Sequence, residues 1–470
     1  MAFYQPRSHH DISLWKGVSD ADWENPDWQR RHTITAASPD KARYAVDDIS
    51  QIITLSGYKR EAIENTIVKR LERGQQVLRI TPYYASLMDQ DPFGLEDRID
   101  PIFLQAVPMP ADLLFSRAGI KQAMAEQDRS KGAAYQRYLD RVVLFLTNTA
   151  ACENYCQHCQ RRRSLHAGVP VTKENIDEGI DYIMSNKNIK EAILSGGEPL
   201  AVKERLLYAM GQLSQIDHVE RLRIGTRMPV TLPMGVTDEL LEHIKHAAGN
   251  KMTYFVTHTN HMHEVTDTYA AAADRIRNHG FDLLNQLVLL KGVNDDFATF
   301  AKTHTEMWRA NVNPYYAFIC HKERGLAHFI TPVPQAKLLL DGCRGMFGGT
   351  AIPRLAMNAE SGAGKVWLMP KGPSDIDPAE AIKTDLESWD GTIIKDYEHL
   401  GRATREEFDE AERVMEAFIG RPDVFKPSLL IEKDGELTGE VTNLDLTPLS
   451  FEERARRLGY TEPLITNPAE

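Results

Sequence analysis

The sequence predicts an α/β protein built around a partial parallel barrel, with a helical N-terminal region before the barrel and a C-terminal extension after it. Six short apolar runs alternate with amphipathic stretches from residue 141 onward, a pattern typical of a parallel sheet or barrel. The chain has 470 residues, of which 42% are hydrophobic and 26% are charged, as in globular proteins. This length accommodates one barrel-type domain with extensions. In such barrels the functional groups lie at the C-terminal ends of the strands.

The N-terminal region, residues 1–136, is predicted to be helical. Trp15, Trp23 and Trp28 are spaced among acidic residues, which indicates short helices anchored on a larger body. Residues 61–73 carry three apolar residues at helical spacing, which predicts a further amphipathic helix.

The barrel, residues 137–371, is predicted from its alternating strand and helix signals. The six apolar runs that we interpret as strands are residues 142–146, 192–194, 222–224, 254–256, 283–290 and 315–319. Residues 174–184 place three isoleucines on one face, as an amphipathic helix does. Thr237, followed by two acidic residues, indicates the start of another helix.

The C-terminal extension, residues 372–470, is acidic and helix-biased between residues 375 and 416. It contains neither a sequence repeat nor a low-complexity tract. We expect it to cap the barrel or to contact another copy of the chain.

Charge and hydropathy exclude several classes of function. The chain carries 55 Lys and Arg against 67 Asp and Glu, a net charge of −12. This balance disfavours non-specific binding of nucleic acid, because basic side chains are needed to neutralise phosphates. No apolar run approaches the roughly 18 residues of a membrane helix, and residues 1–7 lack the apolar stretch of a signal peptide. We therefore expect a cytoplasmic protein that acts on small molecules.

The cysteines are few and clustered. The chain has five, an odd number that argues against a disulfide framework. Cys152, Cys156 and Cys159 lie within eight residues, directly after the first barrel strand. Thiolates at this spacing can hold three irons of a 4Fe-4S cluster and leave the fourth iron open to a substrate or cosubstrate. A structural zinc site needs four ligands, and Cys320 and Cys343 are isolated, so zinc is disfavoured.

A Cys-x3-Cys-x2-Cys loop after the first strand of a barrel resembles the signature of the radical S-adenosylmethionine (SAM) enzymes. Three further strand ends match that family: residues 195–199 read Ser-Gly-Gly-Glu-Pro, residues 225–227 read Gly-Thr-Arg, and His258 and Asn260 follow the fourth strand. The glycines allow the backbone to approach a ligand closely. The resemblance implies a partial (β/α)6 barrel of the TIM type. It also implies that SAM is bound by His158, Ser195, Gly196, Gly197, Glu198, Arg227 and His258.

Within that superfamily the chain resembles the lysine 2,3-aminomutase group over about residues 15–370. The blocks that carry the resemblance are residues 80–87, 156–163 and 325–333. The second cofactor of the group is pyridoxal 5'-phosphate (PLP). The resemblance implies that Lys365, which closes a glycine-rich stretch, is the Schiff-base lysine and the catalytic nucleophile. A phosphate-loop interpretation fails, because valine follows this lysine where Ser or Thr is needed.

The resemblance also assigns three arginines and a tyrosine. Residues 137–141 match an Arg-Tyr-Pro-Asp-Arg block of the group, which implies that Tyr138 stacks on the PLP ring. Arg137 and Arg141 would hold the PLP phosphate, since a guanidinium makes paired hydrogen bonds to such anions. Arg161 would bind the α-carboxylate of the substrate by the same geometry.

The reaction that the resemblance implies is a radical isomerisation. A reduced cluster cleaves SAM, the 5'-deoxyadenosyl radical takes a hydrogen atom from the β-carbon of the substrate, and the α-amino nitrogen migrates to that carbon. The protein supplies placement and the exclusion of water. The resemblance further implies an electron donor such as flavodoxin or ferredoxin, and a homo-oligomeric assembly.

The substrate pocket departs from that of the lysine enzymes. Those enzymes hold the distal ammonium of the substrate between two aspartates, whereas this chain has His321, Lys322 and Asn358 in the corresponding segments. A buried ammonium without a carboxylate costs on the order of several kcal/mol, while a distal carboxylate suits basic side chains and an amide. We therefore predict glutamate as the substrate, as in the glutamate 2,3-aminomutase relatives. Aspartate, glutamine and neutral amino acids remain alternative substrates. Lysine also remains an alternative, because the Glu323 carboxylate could pair with a cationic side chain.

Other classes of function also stay open. A decarboxylase or a racemase could use the same cofactors, and no feature of the sequence separates them from an aminomutase. A non-enzymatic iron-sulfur sensor needs the cysteines but neither Lys365 nor the block at residues 137–141. The joint presence of these residues favours an enzyme.

Overall fold

The computed structural model describes residues 2–75, 77–115, 118, 130–147, 151–161, 171–359, 364–388 and 390–460. Part of the glycine-rich stretch before Lys365 lies outside these residues, as does most of the basic run that begins at Arg161. One large buried core runs through the N-terminal helices and the central sheet. None of the helices in the described part of the chain combines the length and the apolar character that a membrane crossing requires.

The N-terminal region consists of short helices that pack against the sheet. The helices are α1 (Asp20–Trp23), α2 (Pro26–Arg31), α3 (Ala42–Ser50), α4 (Gly57–Glu72), α5 (Pro82–Ser86), α6 (Pro101–Ala106) and α7 (Ala111–Leu114), and a short antiparallel pair joins β1 (Ile34–Thr35) to β2 (Arg79–Ile80). The helix predicted over residues 61–73 is part of α4, which the Ser56 hydroxyl caps. Trp15, Trp23 and Trp28 are buried, as their anchoring role requires.

The central sheet has ten strands. They are β3 (Ser130–Lys131), β4 (Ala134–Tyr138), β5 (Arg141–Phe145), β6 (Glu191–Ser195), β7 (Arg221–Gly225), β8 (Met252–Thr257), β9 (Asp282–Leu289), β10 (Asn313–Ile319), β11 (Arg354–Ala359) and β12 (Gly364–Trp367). Strands β5 to β11 are parallel neighbours in chain order, while β3, β4 and β12 are antiparallel at the two ends. The predicted α/β fold with a partial barrel is therefore confirmed.

The parallel part of the sheet has one strand more than the sequence predicts. The six predicted strands are β5 to β10, and β11 is a seventh that was not predicted. Its apolar run is short, and the chain returns within a few residues as antiparallel β12. The pattern therefore lacks the following helix by which the other parallel strands were recognised.

The helices that connect the parallel strands pack against the sheet. They are α8 (Lys173–Ser185), α9 (Lys203–Ser214), α10 (Met228–Thr231), α11 (Asp238–Ala248), α12 (Asp267–Asn278), α13 (Phe297–Arg309) and α14 (Val333–Gly342). The three isoleucines of α8 are buried, and the Thr237 hydroxyl accepts a hydrogen bond from the Leu240 backbone at the start of α11, as predicted.

The C-terminal extension differs from its prediction. Its elements are β13 (Thr384–Glu387), β14 (Ile393–Tyr397), β15 (Arg402–Thr404), α15 (Arg405–Ile419), β16 (Leu430–Lys433), β17 (Glu436–Val441) and α16 (Phe451–Arg457). The expected helical bias from residue 375 is wrong before Arg405, where β13 and β14 form an antiparallel pair. Buried and exposed residues alternate along β13, so packing of every second side chain outweighs the helix propensity of the acidic residues.

Candidate active site

A cavity of about 360 Å³ collects side chains from the central sheet and the cysteine loop. The predicted site residues that line it are Cys152, Cys156, His158, Cys159, Arg137, Tyr138, Arg141, Arg161, Ser195, Gly196, Gly197, Glu198, Arg227, His258, His321, Asn358 and Lys365. The remaining predicted residue, Lys322, is directed elsewhere: its ammonium donates a hydrogen bond to the Glu398 carbonyl at 2.8 Å. The roles assigned to these residues stay predictions.

The three cysteine thiols lie beside the turn that ends β6. Burial raises the pKa of the Cys152 thiol well above its usual range, and the neighbouring Cys159 and Cys156 act in the same direction. At Gly197 an added Cβ would come within 3.2 Å of the Cys152 Sγ. At Gly196 (φ 134°) an added Cβ would come within 2.1 Å of the Thr147 carbonyl oxygen. The turn therefore requires glycines, and three neighbouring cysteine thiols fit a cluster held by three cysteines.

The residues between the cysteines tie the loop to the N-terminal region. The Asn154 side chain accepts a hydrogen bond from the Thr81 backbone at 2.8 Å. The Gln157 amide donates to the Val77 and Ala106 carbonyls at 2.9 and 3.0 Å. The spacing of the cysteines is visible in the sequence, whereas the anchoring role of the residues between them is not.

Glu198 and Arg227 are buried, hydrogen-bonded to each other and adjacent to the cysteine loop. The Glu198 carboxylate accepts hydrogen bonds from the Thr226 hydroxyl (2.6 Å) and the Arg227 backbone (2.8 Å), and burial raises its pKa to about 7. The Arg227 guanidinium lies 2.7 Å from the Cys156 Sγ and 2.7 Å from the Glu264 carboxylate. Glu198 therefore orients the turn that brings Arg227 to the cysteine loop.

His158 and His258 form an edge-to-face pair on the wall of the cavity, with ring centroids 5.3 Å apart. The Nε2 atom of His258 is buried and has no hydrogen-bond partner among the described residues. Burial, with the nearby Arg227 charge, lowers the pKa of His258 to about 3, so its ring is neutral at pH 7. An unpartnered buried nitrogen at the cavity wall fits hydrogen bonding to a ligand.

Lys365 lies on β12 and lines the same cavity. Its backbone N–H donates a hydrogen bond to the Tyr138 hydroxyl at 2.9 Å, and its ammonium nitrogen is 4.5 Å from the centroid of the Tyr316 ring. Burial, together with the charges of Arg223 and Arg141, lowers the pKa of Lys365 to about 7. A substantial fraction of the side chain is therefore a free amine at neutral pH, as a nucleophilic lysine requires.

Three arginines line the same cavity as this lysine: Arg137 and Arg141 from the β4–β5 hairpin, and Arg161 from the segment after the cysteines. The Arg137 Nε donates to the Tyr135 hydroxyl at 2.9 Å, and the Arg141 guanidinium stacks 4.2 Å from the centroid of the Tyr138 ring. The Arg161 guanidinium lies 4.5 Å from the Phe145 ring centroid and donates to the Gly196 carbonyl at 3.2 Å, beside the cysteine loop. This charge distribution fits a bound phosphate and a bound carboxylate, the anionic groups of PLP and of an amino acid.

His321 and Asn358 form the remaining wall. Asn358 lies opposite Lys365 in the β11–β12 register, and its amide nitrogen is 3.3 Å from the His321 Nε2. Burial and the charge of Arg137 lower the pKa of His321 to about 4, so its imidazole is neutral at pH 7. The sequence predicts a basic group here, but Lys322 is outside the cavity lining and His321 is uncharged at pH 7.

Arg223 also lines the cavity, although it is not among the predicted site residues. This residue stands in an apolar strand, and its guanidinium is bonded to the Glu191 carboxylate inside the barrel. A charged residue in the middle of an apolar strand was the available signal.

The fold and the cysteine loop define a radical SAM enzyme. The family model "Radical SAM superfamily" matches residues 148–303. The chain is also 32% identical over 395 residues to the L-lysine 2,3-aminomutase of Bacillus subtilis, covering 83% of this chain and 78% of the relative. It is 34% identical over 395 residues to the glutamate 2,3-aminomutase of Clostridioides difficile, covering 83% and 86%. An L-lysine 2,3-aminomutase of Clostridium subterminale is 35% identical over 360 residues, covering 76% and 80%.

The chain belongs to the 2,3-aminomutase family of radical SAM enzymes. It is therefore an isomerase, and its cofactors are a 4Fe-4S cluster, SAM and PLP. As a radical SAM enzyme it needs a reductant.

Proposed function

We propose that this enzyme is an L-glutamate 2,3-aminomutase, which moves the α-amino group of glutamate to the β-carbon and forms β-glutamate. The observation that supports this substrate is the wall formed by His321 and Asn358. The carboxylates among the described residues that line the cavity are Glu153 and Glu198. Glu153 is paired with Arg30, and Glu198 is bonded to the turn before Arg227, so neither is available to a substrate ammonium. A lysine side chain would be left with an unpaired buried charge.

The distal carboxylate of glutamate suits this wall for two reasons. The Asn358 amide offers N–H donors to a carboxylate. The positive charge of Arg137 also acts at this wall, because it helps to lower the pKa of His321. At the other end, Arg161 offers a guanidinium beside the cysteine loop for the α-carboxylate. The two ends of the substrate would then fix its β-carbon between the two cofactor sites.

Each side chain of the site has one main task. Lys365 supplies a free amine, Tyr138 holds the backbone of that lysine, and Arg137 with Arg141 supplies positive charge for a phosphate. When bound, PLP supplies a conjugated system for the migrating nitrogen, and the cluster with SAM supplies the radical that abstracts hydrogen. The buried walls around Lys365 exclude water from that radical chemistry.

Glutamine is the second candidate substrate. Lys322 donates to the Glu398 carbonyl, and His321 is neutral at pH 7, so the distal wall itself carries no formal charge. An uncharged side-chain amide complements neutral hydrogen-bonding groups without a desolvated charge. The comparison of glutamate with glutamine therefore tests how strongly Arg137 acts on this part of the cavity.

We also propose the finer features that the family resemblance implies. The electron donor would be a flavodoxin or a ferredoxin, and the chain would form a homo-oligomer in the cytoplasm. The domain boundaries after residues 136 and 371 likewise stay predictions.

The test is an anaerobic assay of the full chain with a reconstituted cluster, PLP, SAM and dithionite. Glutamate, glutamine, aspartate and lysine are incubated separately, and the products are compared with β-amino acid standards by chromatography and mass spectrometry. We expect β-glutamate as the main product. A β-isomer from lysine alone would overturn the substrate proposal, and a decarboxylated or inverted product would replace the aminomutase by the other reaction classes.

A further inference from the structure

A buried ionic group inside the barrel has no task in the reaction described above. Arg223 on β7 donates its Nε hydrogen to the Glu191 carboxylate on β6 at 2.7 Å. The same Nε lies 3.0 Å from the Tyr254 hydroxyl on β8, which also hydrogen-bonds Glu191. The Arg223 and Glu191 side chains are only 10% and 7% exposed. Because burying two charges is costly, such a pair is weak evidence for stability and calls for another role.

This group lies next to the Lys365 amine. The Arg223 guanidinium is 5.8 Å from the centroid of the Tyr315 ring, and the Lys365 nitrogen is 4.5 Å from that of Tyr316. The two tyrosine rings are themselves in contact, with centroids 4.0 Å apart. Arg223 and Lys365 therefore approach the same aromatic pair and line the same cavity.

We propose that Arg223 is a positioning residue for Lys365: Glu191 and Tyr254 fix its guanidinium, and this fixed positive charge keeps the lysine side chain as a free amine. The inference rests on the proposed role of Lys365 as the PLP-binding lysine. A free amine can attack an aldehyde carbon, after which the carbonyl oxygen leaves as water together with the two amine protons. No oxidant or reductant is required, whereas a protonated amine has no lone pair for this attack.

The charges around Lys365 support the inference. Arg223, Arg141 and Arg137 all lower the pKa of this lysine, and after burial Arg223 is the largest cause. Glu191 acts in the opposite direction. The nearby aromatic group, Tyr316, has a pKa raised by burial and is uncharged at neutral pH.

Arg223 and Glu191 have opposite effects on the pKa of Lys365, so replacing each of them in turn gives a prediction with two signs. Removing the positive charge in Arg223→Met is expected to raise the pKa of Lys365. Removing the negative charge in Glu191→Gln leaves the guanidinium uncompensated and is expected to lower that pKa. A role limited to packing would not produce shifts of opposite sign.

The experiment measures the amine directly in the full chain. Trace acetylation with acetic anhydride is followed from pH 5.5 to 9.5, and mass spectrometry of the peptide that contains Lys365 gives its apparent pKa. A second series adds PLP, reduces with borohydride and quantifies the adduct at the same lysine. Arg221→Met is the matched control, since Arg221 lies on the same strand but is one-third exposed and pairs with Glu220.

For a lysine with a pKa of about 7, a rise of one pKa unit reduces the free-amine fraction at pH 7 about fivefold. We expect a loss of about this size in Arg223→Met, and an increase of at most about twofold in Glu191→Gln. Arg223→Lys, which retains a charge, should stay close to wild type and serves if Arg223→Met does not fold. Unchanged labelling in folded Arg223→Met, or shifts of the same sign in both variants, would overturn the inference. The substrate proposal is tested separately by the product assay, so a failure of one leaves the other standing.

Discussion

At the scale of single residues, we propose that the side chains beside Lys365 select the substrate. Asn358 faces Lys365 across β11 and β12, and His321 touches Asn358. Exchanging both for aspartate should move preference from glutamate toward lysine, because two carboxylates would pair with an ammonium and repel a carboxylate. We expect the ratio of kcat/KM for lysine to that for glutamate to rise at least about tenfold, which corresponds to roughly 1.4 kcal/mol.

The control for this exchange is Asn188→Asp, which adds a charge at an exposed position after α8. The double variant should keep its cluster absorbance and its PLP adduct, so that a change in preference reflects the pocket. If the ratio stays as in wild type, the distal wall has been assigned to the wrong residues.

Lys365 allows a second prediction at this scale. Lys365→Ala should retain iron and sulfide but lose the borohydride-reducible PLP adduct and all turnover, because the neighbouring groups that line the cavity include no other lysine among the described residues. The measurement is iron and sulfide analysis together with peptide mass spectrometry. Lys371→Ala, at an exposed position beyond β12, is the control. Full activity in Lys365→Ala would show that Lys365 is not the PLP-binding lysine.

The individual residues also show what a sequence can predict. Cys152, Cys156 and Cys159 were identifiable because their chemistry depends on spacing along the chain. The direction in which the Lys322 side chain points could not be predicted, because it depends on a hydrogen bond to the Glu398 carbonyl, 76 residues later in the chain. Contacts of this kind arise only when the extension packs on the barrel.

At the scale of elements, the cysteine loop depends on the N-terminal helices. Arg70 on α4 donates to Asp112 on α7 and to Gln157 in the loop, both at 2.7 Å. The Arg70 and Asp112 side chains are each only 2% exposed. Gln157→Met keeps the side-chain volume but removes these hydrogen bonds and leaves two backbone carbonyls without this partner.

We expect the cluster of Gln157→Met to assemble incompletely and to be lost several-fold faster to a chelator, since the anchoring bonds stabilise the loop by about 1–3 kcal/mol. Iron and sulfide content and the decay of cluster absorbance with EDTA measure this effect. The PLP adduct should be unchanged, because Lys365 lies on β12 and is bonded to the β4–β5 hairpin. Gln212→Met on the exposed side of α9 is the control, and identical decay rates in the two variants would contradict the anchoring role.

The elements that were predicted well differ physically from those that were not. Strands β5 to β10 are apolar and each is followed by an amphipathic stretch, so local patterns specify them. Strands β13 and β14 contain charged residues. Alternate residues of β13 are buried, whereas β14 is exposed or half-buried and is defined by its antiparallel pairing with β13. Such burial and pairing are properties of the packed chain, which explains why the acidic composition suggested a helix.

At the scale of the whole molecule, buried histidines make stability depend on pH. Burial lowers the pKa of six of them below the usual value of 6.5: His258, His261, His263, His304, His321 and His399. Below pH 6.5 the unfolded chain binds protons that the folded chain does not, so the free energy of unfolding falls as the pH falls. Burial also raises the pKa of several carboxyls, to about 7 for Asp100 and Glu198 and by less for Asp48, Asp89, Asp295 and Glu412, and these groups act in the opposite direction. Between pH 7 and pH 5 the large shifts decide the sign: six histidines lose stability in this range, whereas Asp100 and Glu198 are the carboxyls raised to about 7, so we predict a net loss of stability toward pH 5.

His304 isolates this effect because it lies on α13 and its ring is not part of the cavity wall. Burial lowers its pKa to about 4, and its Nδ1 lies 2.8 Å from the Phe300 carbonyl, a bond that a glutamine amide can replace. Between pH 7 and pH 5 the wild-type chain should therefore lose about 2 kcal/mol more unfolding free energy than His304→Gln. Urea unfolding of both chains at the two pH values measures the difference, with the exposed His246→Gln as control. Parallel losses in all three chains would mean that His304 takes up its proton in the folded state.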